Sequence, residues 1–425
     1  MRAVLGSRDF RYLLAARLAS QVAEGAFLAA VLNAVVFLPE SQSTLRGFAA
    51  ATVLTLLPFS LFEPIAGALV DRWPRRPILV ALPLLRAAVA LLLLPVVGAA
   101  AAVYAGTLVV FSANRLFQAT AGAVVPRVVG AAEGQAPHQS ADRRPERRPP
   151  NDSLLFSANL ISAVAGTVAT FGGVFAGGLL AAEVGAPATI ALAVVTWAAA
   201  SALGARLSSA LLPEKPAGVA LHRHLSATLA DTGDGFRRIG RTPAAFAPIL
   251  AVAAGQFLQV LAIATTLVVI KERLGGGLVS FSGLVAAGGL GVFLGFLTSG
   301  AMRARMSNQL LIGMAFALAA LALLPAVAAL EALTLTVGAV LLGASYGWVR
   351  VPVETLAQRA LPDRYRGRVF TAIDLSFNTA RVLGALAAVV VVPFLGPRTT
   401  FAAVAVLFLL WAPVVPLWLA GGRDS

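Results

Sequence analysis

The chain of 425 residues contains no cysteine. That excludes disulfides, thiolate metal sites and cysteine nucleophiles. Histidine is almost as scarce: His138, His222 and His224 all fall in polar stretches. No imidazole is left inside an apolar segment to ligate a haem or relay protons. Charged residues make up only 12% of the chain, against roughly 25% in a soluble globular protein. Aromatic residues are few, so no stacking pocket can be read from the sequence. There is no cytosolic domain, nucleotide-binding glycine loop or metal cluster, which disfavours an enzyme or an ATP-driven machine.

What is there is apolar surface. Apolar residues reach 59% and the mean hydropathy is +0.85. Residues 77–98, 153–182, 309–330 and 399–420 are near-continuous Ala, Val, Leu, Ile, Phe and Gly. A membrane span needs about 20 such residues at ~1.5 Å rise each. The net charge of +14 does not point to nucleic acid. The arginines are not interleaved with aromatics; they sit in short loops between apolar blocks.

Twelve spans follow from the length criterion: 11–37, 46–70, 77–98, 101–126, 153–182, 186–210, 245–270, 278–301, 309–330, 332–357, 369–393 and 399–420. Arginine crowds alternate loops. Arg72, Arg75 and Arg76, then Arg143 to Arg148, then Arg237 to Arg241, then Arg364 to Arg368 fall on one side; little beyond Arg46, Lys271, Arg273 and Arg398 falls on the other. This asymmetry predicts a multi-pass protein with both termini in the cytoplasm. The preference for arginine over lysine hints at GC-rich coding, and the expected location is the plasma membrane, the inner membrane of a bacterium. No removable signal peptide is expected, because the N-terminal charges lead straight into the first span.

The chain also repeats itself. The second half starts about 234 residues after the first, and beyond the fifth span the offset falls to about 217. The difference maps onto Gly134–Pro149, a Pro- and Arg-rich stretch read as a disordered cytoplasmic insertion, about 132–151. The expected fold is therefore an all-α membrane protein of about twelve transmembrane helices in two six-helix pseudo-repeats. Residues 1–210 form the first bundle and 245–425 the second. The linker 211–244 carries a basic amphipathic stretch around Leu225–Ile239, a surface helix or a partner-binding segment.

Certain motifs carry a family resemblance. Gly67-Ala-Leu-Val-Asp71-Arg72-Trp-Pro-Arg75-Arg76 resembles the G-x-L-x-D-R-x-x-R-R turn between spans two and three of the major facilitator superfamily, with Pro74 where Gly is usual. Asn114-Arg115-Leu-Phe-Gln118 is similar to its R-x-x-Q-G pattern in span four, with Ala119 in place of Gly. Leu361-Pro-Asp363-Arg-Tyr-Arg366-Gly367-Arg368 resembles the loop before span eleven. Arg8-Asp-Phe-Arg11 leading to Ala23-Glu24-Gly25 resembles the macrolide-type drug:proton efflux branch. Gly173-Val-Phe-Ala-Gly177-Gly178 lies close to the antiporter pattern G-P-x-x-G-G, with Val174 replacing Pro; close helix packing is the competing reading.

Ionisable groups inside spans cost several kcal/mol unless paired or wetted, so each is a functional candidate. The acids are Glu24, Glu63 and Asp374, with Glu354 near a span end; the bases are Arg17, Arg86, Arg115, Arg350 and Arg381. Glu24 and Arg115 both lie about 18–20 Å from the cytoplasmic end, which predicts that they pair. Arg17 and Glu63 share a shallower level, and Arg350 is within reach of Asp374 and Glu354. The resemblance implies that spans one, four, seven and ten line a central cavity, so Glu24, Arg115, Gln118, Gln256, Gln259 and Arg350 are expected to face it, with Asn378 and Arg381 on gating span eleven. If Arg381 faces the cavity unpaired, it favours an anionic substrate; the alternative is a pair with Asp374.

These expectations combine into a secondary active transporter, a proton-coupled exporter of amphipathic small molecules. Glu24 would be the coupling carboxylate against Arg115; the competing reading is a static pair. The turn of Gly67, Asp71, Arg72, Arg75 and Arg76 would be a gating latch, or would serve orientation alone. Arg17, Glu63 and Asp374 would be structural or gating charges. No cofactor is implied beyond a proton gradient. The expected partners are a small-molecule substrate and the bilayer, not nucleic acid, and a monomer is expected. An uptake symporter or lipid translocator on the same fold, and a non-transporting scaffold or sensor, are the alternatives.

Overall fold

The structure is a computed structural model. It describes residues 5–37, 44–96, 99–132, 152–208, 233, 236–359 and 366–421; at 59–72, 357–359, 366–371 and some helix ends it describes the backbone only. The expected insertion and most of the linker lie outside the described residues.

Twelve long helices occur among the described residues. They are α1 (Arg8–Leu32), α2 (Thr44–Arg72), α3 (Arg75–Leu93), α4 (Ala100–Ala132), α5 (Asp152–Glu183), α6 (Ala186–Ala205), α7 (Pro243–Val268), α8 (Leu278–Arg303), α9 (Asn308–Ala328), α10 (Ala332–Arg359), α11 (Arg366–Leu395) and α12 (Pro397–Gly421). Eleven are long and apolar enough to cross a membrane, and α2 has 29 residues. Among the described residues there is no strand. A helix is the way for such a segment to satisfy every backbone N–H and C=O without water.

Local chemistry sets the ends. Ser7 caps α1 by accepting from Phe10 N at 3.4 Å, and Ser307 caps α9 by accepting from Leu310 N at 3.2 Å. Proline occupies the first turn of α6 and α7, where its missing N–H costs nothing. The tight turns before α6 and α12 each use a glycine with positive φ, Gly185 at 105° and Gly396 at 76°, a conformation other residues resist. The expected spans agree with the helices to within a few residues, except that α4 runs on past Pro126 to Ala132.

The internal repeat is visible in the helix starts. Arg8 matches Pro243 (243 − 8 = 235), Ala100 matches Ala332 (332 − 100 = 232) and Ala186 matches Pro397 (397 − 186 = 211). In the first half α1 packs on α5 and α6, α3 on α4 and α6, and α2 on α4. In the second half α7 packs on α11, α8 on α10, and α9 on α10 and α12. The halves meet where α5 lies against α8 and α2 against α11. Glycines allow the closest approaches. A Cβ on Gly25 would collide with the backbone of Thr170 and Val174, and one on Gly173 with Val22. The glycines of span five are thus required by packing against α1.

Both α1 and α7 finish in a π-helical turn, Asn33–Phe37 and Val269–Arg273. There, at the end opposite the chain termini, the halves touch directly. Lys271 Nζ donates to the Val36 carbonyl and lies 5.8 Å from the Phe37 ring centroid. The Phe37 ring sits 6.3 Å from that of Phe281 on α8. Val36 lies in the last turn of the π-helical end of α1, where carbonyls have no intrahelical partner and are free to accept.

Candidate functional site

The deepest polar group of the first half is a chain of four side chains. Asn114 Nδ2 donates to Glu24 Oε2 at 2.8 Å. Asn114 Oδ1 accepts from Arg86 Nη1 at 2.8 Å, and Arg86 Nη2 donates to Ser20 Oγ at 2.8 Å. Arg86 is 0% exposed and Asn114 1%. The guanidinium lies between two rings, 5.0 Å from Phe117 and 5.2 Å from Trp197. Helices α1, α3, α4 and α6 therefore share one buried polar node wrapped in aromatic carbon.

This corrects the expected pairing of Glu24 with Arg115. The carboxylate binds Asn114, and the cation behind it is Arg86. Neighbouring residues on a helix point about 100° apart. With Asn114 aimed into the first half, Arg115 is turned away from Glu24, and it lies within Coulombic reach of Asp374 on α11. A depth signal for Arg86 existed in the sequence. It lies 11 residues beyond the start of α3 at Arg75, about 17 Å in, close to the level of Glu24.

A second cluster lies on the facing walls of α10 and α11. Arg350 Nε donates to Glu354 Oε1 at 2.6 Å and its Nη2 to Asp374 Oδ1 at 2.7 Å. Arg350 thus reaches both acids, as the sequence anticipated. Having been taken by Arg350, Asp374 makes no hydrogen bond to Arg381 among the described residues. Arg381 instead lies 5.5 Å from the Phe377 ring centroid, and Arg350 also lies 5.5 Å from it. Tyr346 is 5.6 Å from Phe377 and 6.3 Å from Phe296 of α8, ring centroid to centroid. Three aromatics from three helices form one surface that the low aromatic content had hidden.

Gln256 Nε2 donates to Gln259 Oε1 at 2.9 Å. Both glutamines line a cavity of about 20 Å³ together with Ser345, Tyr346, Phe316 and Phe408, enough for one water. All the residues lining it come from α7, α9, α10 and α12, so this space lies inside the second half and not between the halves. The repeat offset of α1 and α7 sets Gln259 opposite Glu24 (259 − 24 = 235), with a neutral amide in place of the acid. Gln118 is half-buried on α4 and Asn378 buried on α11. Arg17 is half-buried, and its Nε has no hydrogen-bond partner.

The turn after α2 is described in part. Arg76 Nη2 donates to the Ala205 carbonyl at 2.7 Å, closing the C-terminal end of α6. Asp9 Oδ1 accepts from Ser208 N at 3.0 Å, tying the start of α1 to the same corner. Arg75 also has a partner. The side chains of Glu63, Gly67, Asp71 and Arg72 lie outside the described residues.

Residues 34–385 match the family model of the Major Facilitator Superfamily. An uncharacterized MFS-type transporter of Mycobacterium tuberculosis (strain ATCC 25618 / H37Rv) is 28% identical over 417 residues, covering 94% of this chain and 88% of its own. Among solved structures, the POT family transporter PepTSo superposes with a TM-score of 0.71 at 14% identity over 99% of both chains. The human organic anion transporter MFSD10 (TETRAN) superposes with a TM-score of 0.67 at 16% identity, over 96% of this chain and 99% of its own. The nucleoside transporter NupG gives 0.69 at 12% identity, over 97% of this chain and 99% of its own. At such identities the likeness is one of fold.

Proposed function

The chain belongs to the Major Facilitator Superfamily of membrane transporters, and we propose that it is a proton-coupled exporter of amphipathic small molecules working by alternating access. The observation that carries this reading is the Glu24–Asn114–Arg86 chain. In its ionised form Glu24 balances the buried Arg86 charge. A proton on Glu24 removes that balance and leaves a guanidinium enclosed in hydrocarbon, an arrangement costly enough to drive α1, α3 and α4 to new positions. The proton state of one carboxylate is thus tied to the packing of the first half. Because α5 and α2 carry that half's contacts to the second, repacking alters how the halves meet.

In this mechanism the arginine-rich loops and both termini face the cytoplasm of a bacterial plasma membrane. The Lys271–Val36 and Phe37–Phe281 contacts then close the outer side. The turn containing Gly67, Asp71, Arg72, Arg75 and Arg76 acts as the inner latch, supported by the Arg76 bond to the end of α6. Substrate enters from inside, the inner side closes, the outer contacts part, and a proton taken up outside by Glu24 resets the cycle. No cofactor is needed; the gradient supplies the energy. The chain acts as a monomer.

Direction decides between this reading and an uptake symporter. Inverted membrane vesicles carrying the protein are energised, and a panel of antibiotics, dyes and siderophores is offered. Gradient-dependent accumulation of any of them supports export. Accumulation only in right-side-out vesicles would replace it with uptake.

A further inference from the structure

We infer that Arg381 is the recognition point for an organic anion, held with its apolar body against Tyr346 and Phe377 between α10 and α11. This rests on the transporter reading above and names its substrate class.

The first argument is a count of charge. The membrane interior holds five bases, Arg17, Arg86, Arg115, Arg350 and Arg381. The acids are Glu24, Glu354 and Asp374, and Glu63 makes four when its undescribed side chain is included. Five against four leaves at least one positive charge without a fixed counter-ion in a medium that does not tolerate it.

Geometry narrows where such a charge resides. Arg86 is bonded to Asn114 and Ser20 beside Glu24. Arg350 takes both Glu354 and Asp374, and Arg115 is within Coulombic reach of Asp374. Arg17 and Arg381 have no carboxylate partner among the described residues; Arg17 lies at the shallower level, and of the two only Arg381 lies against an aromatic face, that of Phe377. A ring recovers part of the solvation that a guanidinium loses on burial, but it does not neutralise it. Arg381 lies 15 residues from the start of α11 at Arg366, about 22 Å in, near the midplane where a transported solute must pass.

The surroundings describe the ligand. Tyr346, Phe377 and Phe296 offer a continuous aromatic surface. Helices α10 and α11 make few backbone approaches, and Tyr346, Phe377 and Arg381 are each only half-buried, so these side chains are open to a ligand. A planar guanidinium beside aromatic faces recognises a carboxylate or phosphate attached to a flat or apolar body. A free aromatic acid and an anionic lysolipid both have this chemistry.

The test is binding to purified protein in lipid nanodiscs, with empty nanodiscs as reference and no gradient. The probes are 1-pyrenebutyrate, its neutral amide, and a lysophosphatidylglycerol competitor. The wild type is expected to bind the carboxylate about tenfold or more tightly than the amide. Arg381→Gln should bring the two affinities together while leaving that of the amide unchanged, and Arg381→Lys should keep most of the preference. Displacement by the lysolipid at comparable concentration would identify a lipid as the source of the anion; its failure would identify a free acid. Equal affinities in the wild type, or a preference that persists in Arg381→Gln, would overturn the proposal. A melting curve checks that each variant is folded; should Arg381→Gln not fold, the wild-type ratio and Arg381→Lys decide. Because the assay is unenergised, failure of proton-driven export would leave this result standing, and the reverse holds too.

Discussion

Asn114 donates one hydrogen bond to Glu24, while its carbonyl oxygen accepts another from Arg86. A neutral amide thus stands between an acid and a base. Such a relay passes on a change in either charge without direct contact, since an amide has one donating and one accepting end. It also fixes the relative positions of α1, α3 and α4, so the protonation of Glu24 is a mechanical event.

Glu24→Gln keeps the shape and abolishes titration. Gradient-driven transport in vesicles should fall to background, whereas exchange of substrate down its own gradient persists. Full proton-driven transport in the variant would rule out coupling through Glu24.

Asn114→Ala deprives two buried groups of a partner and should destabilise the protein by ~1–3 kcal/mol. Arg86→Met should cost more, ~3–5 kcal/mol, because it leaves Glu24 facing an uncharged site. Combining Arg86→Met with Glu24→Gln should recover part of that loss. Melting temperatures of the four proteins form a double-mutant cycle, and strict additivity would show that the two charges are not coupled.

The lack of native cysteine makes thiol chemistry at the seam between the halves unambiguous. A Cβ on Gly178 of α5 would lie 2.5 Å from Ser282 Cβ on α8. Once the two helices part by about 1 Å, to the Cβ separation of a disulfide, a Gly178→Cys, Ser282→Cys pair should form one under mild oxidation. Transport should stop when it forms and return on reduction. Unimpeded transport by the oxidised protein would mean that the halves do not separate there.

Asp71→Asn leaves the arginines that orient the chain in place. It should insert normally and transport more slowly, read as a lower initial rate at equal membrane abundance. A normal rate would reduce this turn to a topological signal.

Gly173→Leu forces a side chain into the backbone of α1. Overpacking of this kind costs about 1–3 kcal/mol, and the melting temperature in detergent should drop accordingly. An unchanged melting temperature would mean that α1 and α5 are not held this closely.

The sequence by itself determined the twelve helices and the two related halves, and the helix ends to within a few residues except that of α4. Length, hydropathy and charge along the chain are one-dimensional quantities, and so is the rise of a helix. Depth was therefore legible: it set Arg350 level with Asp374 and Glu354, and Arg381 near the midplane. What depth cannot give is rotation about the helix axis and the identity of the helix across the way. That is why depth alone pairs Glu24 with Arg115, whereas Asn114, one residue earlier, is the group that points inward. Only the tertiary structure decided that Arg86 stands behind it, that Gln256 and Gln259 belong to a cavity within one half, and that Phe296, Tyr346 and Phe377 meet beside Arg381. Each of those contacts joins helices whose order in the chain says nothing of which faces they turn to each other.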